Sequence, residues 1–211
     1  MLASVIGRSN QNVYLQDSTG RFYAVPSHTL PSARGQGEPA SGKLNLPAGA
    51  TLTGMIMGED DKEVFVGTSA GYGFRTTITD LHTKNKAGKS VVKISPYAQV
   101  VQPKLIYDEN SLIVAVSNEG RMLVFDISNV PKLAKGKGNK IINIPSARLK
   151  RGEEWVVDYA IVGQGTSLLV YSGKRYLSLK YGDLEHYVGE RGRRGHKLPR
   201  GFQRVDYLKS E

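Results

Sequence analysis

An all-β, propeller-like array of about four four-stranded blades is the fold class that the 211-residue sequence predicts. Three observations predict it. Apolar runs alternate with the two-residue period of strands, a turn glycine recurs at near-constant spacing, and a Gly- and Lys/Arg-rich loop follows each hairpin at one place in the repeat. The composition agrees, because 24 Gly and 39% hydrophobic residues suit a turn-rich globular chain rather than a disordered one.

Four stretches line up: NVYLQDSTGRFYAV from Asn12, EVFVGTSAGYGFRT from Glu63, SLIVAVSNEGRMLVF from Ser111 and SLLVYSGKRYLSL from Ser167. Their turn glycines, Gly20, Gly71, Gly120 and Gly173, stand 51, 49 and 53 residues apart. Val13/Leu15 with Phe22/Ala24, and Val114/Val116 with Met122/Val124, alternate as strand residues do. Glycine supplies the positive φ of a tight hairpin, so each unit opens with a β-hairpin. The units run approximately over 8–57, 58–107, 108–162 and 163–211 of a single domain, 1–211.

A short polar segment follows each hairpin (Ser27–Pro31, Ile78–Thr83, Ile127–Leu133, Tyr181–Val188) and is expected to make a helical turn. The basic loops come next: SARGQGEP at Ser32, KNKAGKS at Lys84, KGKGNK at Lys135 and ERGRRGHKLPRG at Glu190. Two further runs complete each unit, such as Lys43–Leu46 with Thr51–Met57, or Ser90–Ile94 with Val100–Ile106. That gives about four strands per unit, with no long amphipathic helix and no linker. Val5–Gly7 reads as the tail of an earlier unit, so the array is expected to extend before Met1.

The absence of cysteine excludes disulfides, Cys-ligated zinc, iron–sulfur clusters and a thiol nucleophile, and fits a reducing cytoplasm. Leu2–Ile6, broken by Ser4, is too short for a signal peptide or a membrane span, so a soluble, cytoplasmic protein is expected. Two catalytic patterns are decoys. Gly67-Thr68-Ser69-Ala70-Gly71 fits G-x-S-x-G, but the same place in other units reads DSTG and SNEG, which puts Ser69 in a hairpin turn rather than a nucleophile elbow. Gly37 to Leu44 has the glycines and lysine of a P-loop, but Leu44 replaces the magnesium-binding hydroxyl and Pro39 removes a cradle N–H. His28, His82, His186 and His196 show no metal-ligand spacing and are expected at surfaces or caps. The carboxylates Asp60/Asp61 and Glu153/Glu154 are expected to solvate loops, and the eleven tyrosines and Trp155 to pack the core or the inter-blade contacts. No catalytic site, metal site or cofactor is expected in the chain.

The formal net charge of +10 points to a polyanionic partner. The last unit carries half of the surplus, with ten Lys and Arg against five Asp and Glu. Loops at one place in a propeller-like repeat lie on one rim. Recurrent Gly-Lys loops there would form a curved positive track, with glycine letting backbone N–H groups approach phosphate.

These loops and hairpins resemble the C-terminal β-pinwheel domain shared by the DNA-cleaving subunits of DNA gyrase and topoisomerase IV. The stretches LPSARGQGEP, AGYGF, GKGNKIINIPSA and GERGRRG are similar to the topoisomerase IV version, and the resemblance covers essentially the whole chain. No loop carries a full Q-R-R-G-G-K-G-like gyrase box, which favours topoisomerase IV over gyrase. The resemblance implies a disc of blades with a strand exchanged between neighbours, and a blade preceding Met1. It implies a non-catalytic module that binds and bends the transported duplex and tunes preference among decatenation and relaxation substrates. In the family, the catalytic residues of the ATP-dependent enzyme lie elsewhere. Implied partners are duplex DNA, the rest of the DNA-cleaving subunit, the separate ATPase subunit, and a bacterial condensin; the implied location is the nucleoid.

The expected phosphate contacts are Arg34; Lys84, Lys86 and Lys89; Lys135, Lys137 and Lys140; and Arg191, Arg193, Arg194, Lys197 and Arg200. Arg21, Arg75 and Arg121, just after the turn glycines, are second-tier candidates. Three alternatives stand beside this: a gyrase-type DNA-wrapping domain, a propeller scaffold for acidic proteins, and a Ser69 hydrolase.

Overall fold

A computed structural model describes residues 3–32 and 34–211. The first strands in chain order are β1 (Asn12–Asp17), β2 (Arg21–Pro26), β3 (Leu52–Ile56), β4 (Glu63–Gly67), β5 (Tyr72–Thr77), β6 (Lys89–Ser90), β7 (Lys104–Ile106) and β8 (Leu112–Ser117). There follow β9 (Arg121–Asp126), β10 (Asn139–Lys140), β11 (Val156–Val162), β12 (Ser167–Ser172), β13 (Arg175–Lys180), β14 (His196–Lys197) and β15 (Tyr207–Ser210). Two short helices, α1 (Ile78–Leu81) and α2 (Ser146–Lys150), interrupt them. Helical turns also follow β2, β9 and β13, at Ser27–Thr29, Ile127–Asn129 and Tyr181–Tyr187.

The strands form antiparallel sheets ordered β3-β1-β2-β6, β10-β5-β4-β7, β11-β8-β9-β14 and β13-β12-β15. The fold is the all-β pinwheel that the sequence predicts, with two corrections. Three sheets have four strands and the last has three, so the expected four strands per blade fail there among the described residues. The reason is exchange. In the other sheets one edge strand is a two-residue piece of a basic loop lying downstream: β6 pairs with β2, β10 with β5 and β14 with β9. Lys43–Leu46, expected as a strand, is instead the end of a short helical turn at Ala40–Lys43 followed by extended chain.

Both faces of the middle sheets are buried, which is why Val64, Phe65 and Val66 in β4 have no exposed surface. Tyr14, Phe22 and Ile56 of the first sheet share a core with Val64, Val66 and Phe74 of the second. Phe65 on the opposite face of β4 packs with Ile113, Ala115 and Leu123 of the third. Val114, Val116 and Met122 then meet Leu168, Val170 and Leu208 of the fourth. Alternate residues thus serve successive interfaces, and each fully buried large side chain contributes about 1.5–3 kcal/mol.

The recurrent turn glycines have a second role beside the hairpin. Gly20, Gly71 and Gly120 have φ of 85°, 86° and 69°. A Cβ at these positions would collide with the backbone carbonyls of Val92, Ile142 and Phe202 respectively. The chain leaving each basic loop crosses directly over a hairpin tip, donating Val91 N and Val92 N to Gly20 O, Ile141 N to Gly71 O, and Leu198 N to Gly120 O. Only glycine permits that approach.

Candidate nucleic-acid interface

Three equivalent backbone bonds join the basic loops into one belt. Asn45 N donates to Lys86 O at 2.9 Å, Lys93 N to Gly136 O at 2.8 Å, and Asn143 N to Arg193 O at 2.9 Å. Each loop therefore docks on the segment that follows the previous one. Return bonds run from Gly136 N to Val91 O and from Gly192 N to Ile141 O. Short pairings of β6, β10 and β14 fix the loops to the sheet edges, so the cations sit on ordered backbone rather than on free loops.

On this belt Lys84, Lys86, Lys135, Lys137, Arg193, Lys197 and Arg200 are exposed, and Lys89, Lys140, Arg191 and Arg194 are half-buried. Lys137 Nζ lies 4.0 Å from the centroid of the Tyr72 ring, and Lys140 Nζ 5.9 Å, so the tyrosine after the Gly71 turn supports two cations. Lys89 Nζ donates to Asp80 O at 2.6 Å and Arg191 Nη1 to Lys140 O at 3.1 Å. Arg193 pairs with Glu190 at 2.9 Å in the open, and Lys197 Nζ donates to Glu119 O at 3.1 Å. Arg34 is exposed in a turn closed by Gly35 N to Ser32 O, and among the described residues no hydrogen bond ties it to another basic loop.

The second-tier arginines are engaged inside the protein. Arg21 donates to the carbonyls of Ala87 and Gly88, and Arg121 Nη1 lies 3.5 Å from Gly195 O. Arg75 donates to Val130 O at 2.9 Å and Ser128 O at 3.3 Å, and pairs with Glu63 at 2.9 Å. These side chains clamp later segments of the chain, two of them the basic loops themselves. Glu63 also pairs with Lys132. Burial alone would raise the Glu63 carboxyl, but Lys132 and Arg75 hold it below the usual carboxylate range.

Two expectations need correction. Glu154 is fully buried, not a loop-solvating acid: Arg148 and Arg194 reach its carboxylate from two sides. An isolated buried carboxylate is too costly, so these cations travel with it. The aromatics also divide. Tyr14, Tyr23 and Tyr159 are fully buried, whereas Trp155 is 39% exposed and Tyr97, Tyr107, Tyr176 and Tyr207 are exposed too. Lys93, Tyr97 and Lys150 are exposed outside the Gly-Lys loops, Lys93 just downstream of one.

The catalytic decoys are occupied otherwise. Ser69 is buried, its Oγ accepting from Gln99 N at 2.9 Å in the β4–β5 turn. Lys43 Nζ donates to Thr29 O and pairs with Glu38, and extended chain, not a helix, follows it. The rings of His186 and His196 come within 6.0 Å of each other, a closeness the sequence spacing does not reveal. Among the described residues no group of three or more His, Asp or Glu could hold a metal ion, and no helix is long and apolar enough to cross a membrane.

Comparison with known proteins agrees with this architecture. The family described as "DNA gyrase C-terminal domain, beta-propeller" matches residues 62–106 and 111–161. The chain is 52% identical over 207 residues to the DNA topoisomerase 4 A-subunit of Pseudomonas aeruginosa, and 48% identical over 204 residues to that of Escherichia coli K12. These alignments cover 98% and 97% of this chain but only 28% and 27% of the relatives' lengths. The solved E. coli ParC C-terminal domain superposes with a TM-score of 0.87 at 47% identity, covering 99% of this chain and 84% of that one. A DNA gyrase A C-terminal domain shares the fold at a TM-score of 0.72 and 17% identity, covering 94% of this chain and 65% of that one.

Proposed function

This chain belongs to the family of C-terminal β-propeller domains found in the A-subunits of DNA gyrase and topoisomerase IV, and we propose that it binds and bends duplex DNA along its basic belt. The single observation that carries this is the belt itself: three basic loops joined through equivalent backbone bonds. Cations held on a common track can neutralise consecutive phosphates. Among the described residues no helix is long enough to fill a major groove, so binding is without strong sequence preference. The twelve cations named from the sequence are the proposed phosphate contacts. Arg194 and Arg191 also hold the track together.

In this role the domain, read as four repeats, is a non-catalytic part of a type II topoisomerase. It engages the transported DNA segment and tunes the choice between decatenation and relaxation substrates. Cleavage and ATP hydrolysis then lie in the rest of the DNA-cleaving subunit and in its ATPase partner, and the protein works in the cytoplasm at the nucleoid. The basic last sheet is the proposed surface for a bacterial condensin. The topoisomerase IV role is favoured over gyrase-type wrapping because no loop carries a full gyrase box.

Affinity measured against duplex length tests this. A domain that bends DNA gains affinity up to the length of the belt and then levels off. Continued tightening over much longer duplexes favours gyrase-type wrapping, and failure to bind duplex at any length favours a scaffold for acidic proteins.

A further inference from the structure

Three connectors that run from a basic loop to the next sheet contain the same four-residue turn. It is closed by Ala50 N to Pro47 O, Ala98 N to Ser95 O, and Phe202 N to Pro199 O, at 3.0, 3.1 and 3.0 Å. The third residue of each has positive φ: 78° at Gly49, 64° at Tyr97 and 94° at Gly201. Glycine suits that position, and a bulky residue there is strained. Tyr97 is the one non-glycine with positive φ among the described residues. Burial does not compensate the strain, because the residue is 64% exposed. An outlier held against its backbone preference and displayed to solvent points to a use for the side chain.

The surroundings say what that use is. Lys150 Nζ stands 5.8 Å from the Tyr97 ring centroid, and the neighbouring Arg151 is exposed, its guanidinium paired with Glu153. Lys93, exposed and four residues before Tyr97, is bonded through its backbone to the belt at Gly136. Trp155, a second exposed ring one sheet further on, takes the place of Gln99, two residues after Tyr97: its carbonyl accepts from Asn118 N as that of Gln99 accepts from Ser69 N. Far along the strands from these connectors, the β3–β4 and β7–β8 turns expose Glu59, Asp60, Asp61, Asp108 and Glu109. The connector end is cationic and aromatic, while the other end is acidic and repels phosphate.

We propose that Tyr97 is a DNA-contacting residue: a duplex on the belt passes over the connector end, and the Tyr97 ring packs against its deoxyribose and base edges. This inference rests on the DNA-binding role proposed above. It adds a non-ionic contact that a bent duplex accommodates better than a straight one.

The test compares Tyr97→Gly, Tyr97→Phe and Lys93→Ala in thermal melts, in salt-titrated binding to a duplex longer than the belt, and in end-to-end fluorescence transfer on that duplex. Tyr97→Gly restores the residue the turn favours, so its melting temperature should equal or exceed that of the parent. Its affinity should nevertheless fall roughly fivefold or more, with an unchanged salt slope and a reduced bend. Tyr97→Phe should retain binding, and Lys93→Ala should flatten the slope by about 0.9. Parental affinity in Tyr97→Gly, with the Lys93→Ala effect intact, overturns the assignment and leaves the DNA-binding role standing. A lowered melting temperature in Tyr97→Gly overturns it as well, by making the ring structural. If the parent protein shows no salt-dependent duplex binding, the DNA-binding role fails first.

Discussion

Arg194 Nη1 lies 2.9 Å from the carboxylate of Glu154, a side chain with no exposed surface. Arg148 reaches the same carboxylate at 3.1 Å and also pairs with Glu119. Arg194 further donates to Asn143 O at 3.0 Å, beside the bond that ties Arg193 O to Asn143 N. The most cationic loop is thus anchored through a buried charge contributed by the turn that precedes β11. Arg194, together with Arg191 on Lys140 O, holds the track, while Arg193, Lys197 and Arg200 are exposed.

Arg194→Ala is therefore expected to cost stability and Arg193→Ala is not. Removing one of two cations from a buried carboxylate should cost about 1–3 kcal/mol, seen as several degrees in the melting temperature. The Arg193–Glu190 pair is exposed on both sides, so its loss should fall within about 0.5 kcal/mol of zero. Equal melting temperatures for the two variants would contradict the anchoring role.

DNA affinity should follow the number of cations that a loop presents together. Replacing Arg191, Arg193, Lys197 and Arg200 with alanine, with Arg194 kept, should weaken binding far more than Arg34→Ala. The multiple variant should flatten the salt slope by up to about 3.6, since each lost phosphate contact removes about 0.9. The comparison uses variants that melt like the parent. If Arg34→Ala is the more damaging change, DNA enters by the first loop and the charge count misleads.

Acid should destabilise the fold through its paired carboxylates, of which Glu63 and Glu119 are less exposed than Glu153. Hydrogen bonding from Arg148 holds Glu119 below the usual carboxylate range; at Glu63, Lys132 and Arg75 outweigh the burial that would raise it. Both native values are depressed. Their contribution is complete above the unfolded value of about 4.3 and is lost as pH falls through the native value. The melting temperature should drop across that acid range, and the Glu63→Gln, Glu119→Gln double variant should show a shallower drop. An acid limb of unchanged steepness in the double variant would assign acid sensitivity elsewhere.

The hairpins were legible because Gly20, Gly71 and Gly120 meet two local demands at once: a positive φ and a backbone crossing close overhead. The basic loops were legible because they recur at one place in the repeat. Exchange of β6, β10 and β14 was implied only by resemblance, since two-residue strands carry no periodicity of their own. Glu154 escaped because its burial depends on Arg194, forty residues downstream, arriving beside it. Arg21 and Arg121 look like phosphate ligands in sequence because a guanidinium suits carbonyls and phosphates alike. Tyr97 became visible only once its turn could be set beside those of Gly49 and Gly201.

The central claim, that phosphates are neutralised along a continuous cationic belt, is tested most directly by titrating duplex affinity against salt. Six simultaneous contacts predict that log K falls with log salt at a slope of roughly −5. Affinity that barely changes between low and moderate salt would contradict it.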